Sequence, residues 1–117
     1  MQEKSGKTVT AEELLNAIRD FNRRMDWDQF HTPQNLAKSI SIEAGELLEC
    51  FQWNDDYDKE SVCEEMADVY SYLLMMADSL QVDLNEISIK KLDKTKKKYP
   101  EELFRGISTK YNKLGRE

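Results

Sequence analysis

Residues 41–53 read SIEAGELLECFQW, and residues 63–77 read CEEMADVYSYLLMMA. Each stretch carries two carboxylates three positions apart, Glu43 with Glu46 in the first and Glu65 with Asp68 in the second. At roughly 100° per residue, such a pair projects from one side of a helix. The apolar residues around them recur at helical spacing. Leu36, Ile40, Leu47 and Phe51 form one stripe, and Val62, Met66, Val69, Leu73, Met76 and Leu80 form another. Glu43 falls within the first stripe, and Glu65 and Asp68 flank the second. A carboxylate set among core-facing positions is costly unless something positive meets it.

Working outward, helical spacing continues on both sides. Thr10 is a good N-cap, followed by Glu12 and Glu13 where the helix dipole favours acids. Leu14, Leu15, Ile18, Phe21 and Met25 then predict a helix over about residues 11–25. The segment DWDQFHT (26–32) is short, aromatic and polar. Thr32 and Pro33 make a cap and first helical residue, so the next helix runs from about 33 to 53. The turn 54–58 precedes a helix that begins near 59–62, with Ser61 and Glu64 offering a capping box.

Asp83 and Glu86 open another helix, which reaches about Lys98 with Leu84, Ile87, Ile89 and Leu92 inward. Pro100 ends it, and Glu101–Phe104 suits a short turn. No strand signal competes. The expected fold class is all-α, a four-helix bundle-like subunit over residues 10–99. A disordered tail is expected over 1–9, and 100–117 forms a C-terminal tail that serves subunit contacts or the site. The helix over 59–80 is apolar around much of its circumference, which predicts a homo-oligomer.

Composition narrows the function classes. The 117 residues carry a net charge of −6, which argues against nonspecific binding to nucleic-acid polymers or acidic membranes. It does not argue against a small anionic ligand, because a bound cation reverses the local field. The N-terminus MQEKSGKTVT is polar and no apolar run approaches a membrane span, so the expectation is a cytoplasmic protein. Cys50 and Cys63 show no metal spacing and read as reduced thiols.

For Glu49 and Glu64 a solvated helix face suffices. It does not suffice for Glu43, Glu46, Glu65 and Asp68 together. Four oxygen-donor residues suit a hard divalent cation, and one that also holds phosphates is usually magnesium. Di-iron helical proteins gather carboxylates too, but need Glu-x-x-His pairs. The single histidine, His31, lies outside the acidic helices. Trp27, Phe30, His31 and Trp53 lie near the two ends of the helix over 33–53. Flat aromatics there offer a platform for a base, and His31 can donate or accept. Tyr72 follows Asp68 by one turn of the same face. Of the lysines after residue 89, Lys91 or Lys94 are candidates for phosphate, as is Lys110 in the tail.

These strings are familiar. DWDQFHTPQNL (26–36), EAGELLECFQW (43–53), EEMADVYSYL (64–73), KKYP (97–100) and STKY (108–111) resemble those of the MazG-type all-α nucleoside triphosphate pyrophosphohydrolases, most of all the dCTP pyrophosphatase branch. The resemblance implies cleavage between the α and β phosphates, giving monophosphate and pyrophosphate. It implies magnesium held by Glu43, Glu46, Glu65 and Asp68. The expected mechanism has Glu46 or a neighbouring carboxylate, Glu43 among them, orient or deprotonate the attacking water. The resemblance implies a nucleotide pocket lined by Trp27, Asp28, Gln29, Phe30, His31, Trp53 and Tyr72. Asn35, Lys91 and Lys110 are further candidates for contact with the nucleotide. The resemblance also implies dimers or tetramers with sites built between subunits, and a role in cleaning the nucleotide pool. Two positions depart from the pattern: Ile18 stands where some relatives place histidine, and Thr95 where relatives often carry asparagine. Both bear on base or sugar preference. The rival reading is a non-catalytic helical nucleotide-binding or oligomeric interaction module with vestigial acidic pairs.

Overall fold

A computed structural model describes residues 8–53 and 55–108. It contains helices α1 (Ala11–Arg24), α2 (Pro33–Glu49), α3 (Lys59–Ser79), α4 (Leu84–Lys98) and the one-turn α5 (Glu101–Phe104), with a single 3-10 turn at Asp28–Phe30. Among the described residues there is no strand. The all-helical class and the four long helices agree with the reading of the sequence. The chain forms two units, one up to Val82 and one from Asp83. Residues 1–7, Asn54 and the stretch from 109 onward, with Lys110 and most of STKY, lie outside the described residues.

Caps set the helix starts. The Thr10 hydroxyl accepts from the Glu13 N–H at 3.1 Å, and the Glu13 carboxylate accepts from the Thr10 N–H at 3.3 Å. That is the reciprocal capping box. Thr32 accepts from the Asn35 N–H at 3.2 Å, with Pro33 at the first helical position. Asp83 accepts from the Glu86 N–H at 2.9 Å. At α3 the structure differs from the sequence reading, because the cap is Asp58 and not Ser61. The Asp58 carboxylate accepts both the Ser61 N–H at 3.3 Å and the Ser61 hydroxyl at 2.7 Å. A charged acceptor at the positive end of the helix outcompetes a hydroxyl, and these bonds hold the Asp58 carboxyl below its usual value. Asp58→Ala, which leaves the first turn of α3 without this acceptor, is expected to lower the Tm by roughly 4–8 °C, read by thermal melting.

The helix ends explain the loops. At the end of α1 the Trp27 N–H donates to the Asn22 carbonyl at 2.9 Å and the Asp26 N–H to the Arg23 carbonyl at 3.1 Å. Asp26 takes φ 56° to allow it. This is the Schellman pattern, with aspartate in the left-handed position that glycine usually fills. Its effect is to turn the chain sharply and seat Trp27 against Phe21, edge-on, with centroids 5.3 Å apart. α2 stops at Glu49 rather than near Trp53. The N–H groups of Cys50, Phe51 and Gln52 each bond three residues back, at 3.2, 3.0 and 3.1 Å. Those tightened bonds satisfy carbonyls that a helix end leaves unpaired. Phe51 then meets Tyr57 across the connection, with centroids 5.0 Å apart.

Within the first unit α3 packs on α2 and, to a lesser extent, on α1. The core shifts from the predicted stripe. Leu36 is 1% exposed as expected, but on α3 the buried residues are Leu74 and Ala77, while Met66 and Leu80 stay half exposed. A helix that is apolar nearly all round offers two adjacent lines, and the neighbours on either side decide which is covered. Arg19 on α1 reaches across to Asp78 on α3, with Nε 3.0 Å from Oδ2. That bond holds the Asp78 carboxyl below its usual value. In the second unit Phe104 is buried and stacks edge-on to Tyr99 at 4.9 Å. Ile87, Ile89 and Leu92, expected inward, are exposed in the single chain.

Candidate active site

The packing of α2 on α3 brings the two acidic steps together. One carboxylate oxygen each from Glu43, Glu46 and Glu65 lies within 4.8 Å of the others. Oε2 of Glu43 and Oε2 of Glu65 are buried and have no hydrogen-bond partner. Among the described residues, no lysine, arginine or histidine pairs with these carboxylates or with Asp68.

Carboxylates this close resist ionising together. Glu43 is pushed up to about 7, first by hydrogen bonding with Glu46, which requires a proton between them. Lost hydration and the charges of Glu46, Asp68 and Glu65 add to the effect. Glu65 is also raised, chiefly by lost hydration and then by Glu46. Converging hard oxygen donors with unmet buried lone pairs fit a divalent cation, which would supply the missing positive charge. Asp68 stands outside the converging three. Its charge reaches Glu43 and Glu65, and its side chain borders the adjoining cavity.

That cavity measures about 340 Å³ and lies against α1, α3 and the loop after α1. Pockets of this size take small organic ligands. Phe21, Asn22, Trp27 and His31 form one side, and Asp68, Ser71, Tyr72 and Met75 the other, with Ala17 and Ile18 beside them. Five residues singled out in the sequence therefore meet in one place: Trp27, His31, Asp68 and Tyr72, with Ile18, the position expected to bear on base or sugar preference. The His31 Nδ1 is buried without a partner. Asp28 borders a smaller cavity of about 150 Å³, which shares Ile18, Asn22, His31 and Met75 with the larger one and adds Arg19 and Asp78.

Other expected contacts lie elsewhere. The Gln29 amide donates to the Asp26 carbonyl at 3.0 Å and to its carboxylate at 3.1 Å. The Asn35 amide donates to the Phe30 carbonyl at 2.9 Å. In the single chain these two brace the loop that carries Trp27 and His31, and Phe30 is exposed. Trp53 is 84% exposed and does not line the cavity. Lys91 is exposed in the second unit, where its carbonyl accepts the Thr95 hydroxyl at 3.1 Å.

Sequence reasoning missed Asn22, Ser71 and Met75. Asn22 had a signal: it is polar yet stands four residues after Ile18 and seven after Leu15, on the apolar line of α1. Ser71 lies three residues after Asp68, on the acidic side of α3.

The chain is similar to known proteins in both sequence and fold. The chain is 36% identical to dCTP pyrophosphatase 1 of Mus musculus over 117 residues, covering 92% of this chain and 69% of that protein. It is 35% identical to dCTP pyrophosphatase 1 of Homo sapiens over 115 residues, covering 90% and 68%. The crystal structure of a pyrophosphatase from Archaeoglobus fulgidus superposes with a TM-score of 0.71 at 40% identity, covering 84% of this chain and 99% of that one. The model of the MazG-like family matches residues 38–114, a span that includes all four carboxylates, the whole of α3 and most of α2, and the chain belongs to that family.

Proposed function

We propose that this chain is a divalent-metal-dependent nucleoside triphosphate pyrophosphohydrolase. Its substrate in this reading is dCTP or a modified dCTP, and its cation is Mg²⁺. The observation that carries the reading is the meeting of Glu43, Glu46 and Glu65, with buried unpartnered oxygens, beside a cavity walled by Trp27, His31, Asp68 and Tyr72. The similarity to dCTP pyrophosphatase 1 supports the choice of base.

Glu43, Glu46 and Glu65 would hold the cation, with Asp68 beside them. When bound, the cation neutralises charge on the triphosphate oxygens and polarises the phosphorus under attack. The chain's own residues supply the other steps. Glu46 or Glu43 accepts the proton of the attacking water. The water oxygen adds in line at phosphorus, the bond between the α and β phosphates breaks, and pyrophosphate leaves. Trp27 offers a ring on which a base stacks, worth roughly 1–3 kcal/mol per base. His31 and Tyr72 supply polar contacts to the nucleoside.

The working form in this reading is a homo-oligomer, a dimer or tetramer. Ile42 and Leu48 on α2, Met66 on α3, and Trp53 between them are large, apolar and exposed in the single chain. Such side chains are covered when a second copy packs on them, and that packing would bring Trp53 to a pocket. Among the described residues no helix is long and apolar enough to cross a membrane, and in this reading the chain serves to clean the cytoplasmic nucleotide pool.

Incubation of the protein with dCTP and Mg²⁺, followed by separation of products, tests the proposal. The expected products are dCMP and pyrophosphate. Inorganic phosphate with dCDP would contradict cleavage between the α and β phosphates. No turnover across a nucleotide panel would favour a binding module.

A further inference from the structure

The chemistry above leaves Asn22 unused, although it is the one polar side chain that α1 gives to the larger cavity. It is 5% exposed. A buried amide normally finds partners for both its donor and its acceptor. The Asn22 Nδ2 has a weak one, the Met75 sulfur at 3.6 Å. Among the described residues no N–H or O–H group donates to its Oδ1. A thioether accepts and cannot donate. Met75 therefore determines which way the amide faces, with Nδ2 to the sulfur and Oδ1 left as an acceptor.

The backbone of the same residue positions an aromatic ring. The Trp27 N–H is held by the Asn22 carbonyl at 2.9 Å, and Phe21 braces the indole edge-on. A stacking surface and an unfilled acceptor are thus tied together across the end of α1. A base lying on Trp27 would present its edge to the cavity wall that Asn22 occupies.

We propose, resting on the nucleotide-pocket reading above, that Asn22 is a specificity-determining residue that reads the exocyclic amino group of a 4-aminopyrimidine. Oδ1 accepts a hydrogen bond from that amino group. The 4-oxo group of uracil or thymine brings an acceptor against an acceptor, with no proton between them and water excluded. An unpaired buried oxygen on each side disfavours that base.

The test compares dCTP with dUTP, which differ in the 4-substituent and in the proton that uracil carries on N3, by kcat/KM in Mg²⁺ for the wild type, Asn22→Ala and Met75→Leu. Thermal melts establish that each variant folds. The wild type is expected to favour dCTP, and Asn22→Ala to lower the dCTP/dUTP ratio about tenfold, the worth of one hydrogen bond. Met75→Leu keeps the volume but removes the acceptor that orients the amide. The amide is then free to turn Nδ2 toward the base, so this ratio also moves toward dUTP, which a merely structural role for Asn22 would not produce. Equal use of both nucleotides by the wild type, or a ratio that folded variants leave unchanged, overturns the assignment and leaves the pyrophosphohydrolase reading standing. A wild type that cleaves neither nucleotide, nor any other in the panel, overturns that reading and this assignment with it.

Discussion

Glu43→Gln is expected to lower kcat/KM at least about a hundredfold while making the metal-free protein more stable at neutral and alkaline pH. The loss of activity follows from removing a charge that would hold the cation, where each 1.36 kcal/mol of lost transition-state stabilisation is roughly tenfold in rate. The gain in stability follows from the proton that Glu43 holds. Its carboxyl titrates at about 7 in the folded chain against the ordinary 4.5. The folded state therefore binds this proton more tightly than the unfolded state. The stability that it contributes is complete below the ordinary value and is lost as pH rises through about 7.

Glutamine stands in for the protonated form at every pH and removes that loss. The expected gain near pH 8 is about 1 kcal/mol, a Tm rise of roughly 5 °C, because solvent near a half-buried group screens part of the effect. Glu65, raised in the same direction, keeps part of the dependence in the variant. Asp20, Asp58 and Asp78 are lowered instead, so their contributions are lost only as pH falls below the ordinary carboxylate range, outside this window. Melting curves at several pH values in EDTA, beside kinetic assays in Mg²⁺, measure both halves. A variant as active as the wild type would sink the metal assignment, and unchanged alkaline melting would sink the shared-proton account.

Adding a divalent cation is expected to stabilise the folded chain and to release protons. A cation present at a hundredfold over its Kd adds about 2.7 kcal/mol, on the order of 10 °C in Tm. It competes with the proton that Glu43 shares with Glu46, so its affinity rises as pH passes upward through about 7. Calorimetric titration with Mg²⁺ or Mn²⁺ in two buffers of different ionisation enthalpy reads the proton release directly, and EDTA should abolish turnover. A cation that leaves both Tm and heat unchanged, with or without a nucleotide analogue present, would remove the site from the proposal.

Local signals in the sequence were legible because their causes are local. Thr10, Thr32 with Pro33, and Asp83 each act on an N–H three residues away, so the starts of α1, α2 and α4 could be read directly. Asp58 and Ser61 are both good caps three positions apart. Choosing between them required knowing that the serine would donate to the aspartate. The end of α2 was overrun because the tightened turn after Glu49 leaves no mark in hydrophobic period. The core of α3 was displaced to Leu74 and Ala77 for the reason that its apolar residues cover two faces.

By itself the sequence determined the helical class, the pairing of Glu43 with Glu46 and of Glu65 with Asp68, and the aromatic loop before α2. Helical spacing places residues three or four apart on one face, whatever the rest of the chain does. It says nothing about what that face meets. Only the tertiary structure decided that three of the four carboxylates converge while Asp68 turns to the cavity. It also decided that Gln29 and Asn35 brace the loop, and that a buried amide, Asn22, shares a wall with Trp27 and His31. Those outcomes depend on distances between helices, which packing sets and no spacing along one helix encodes.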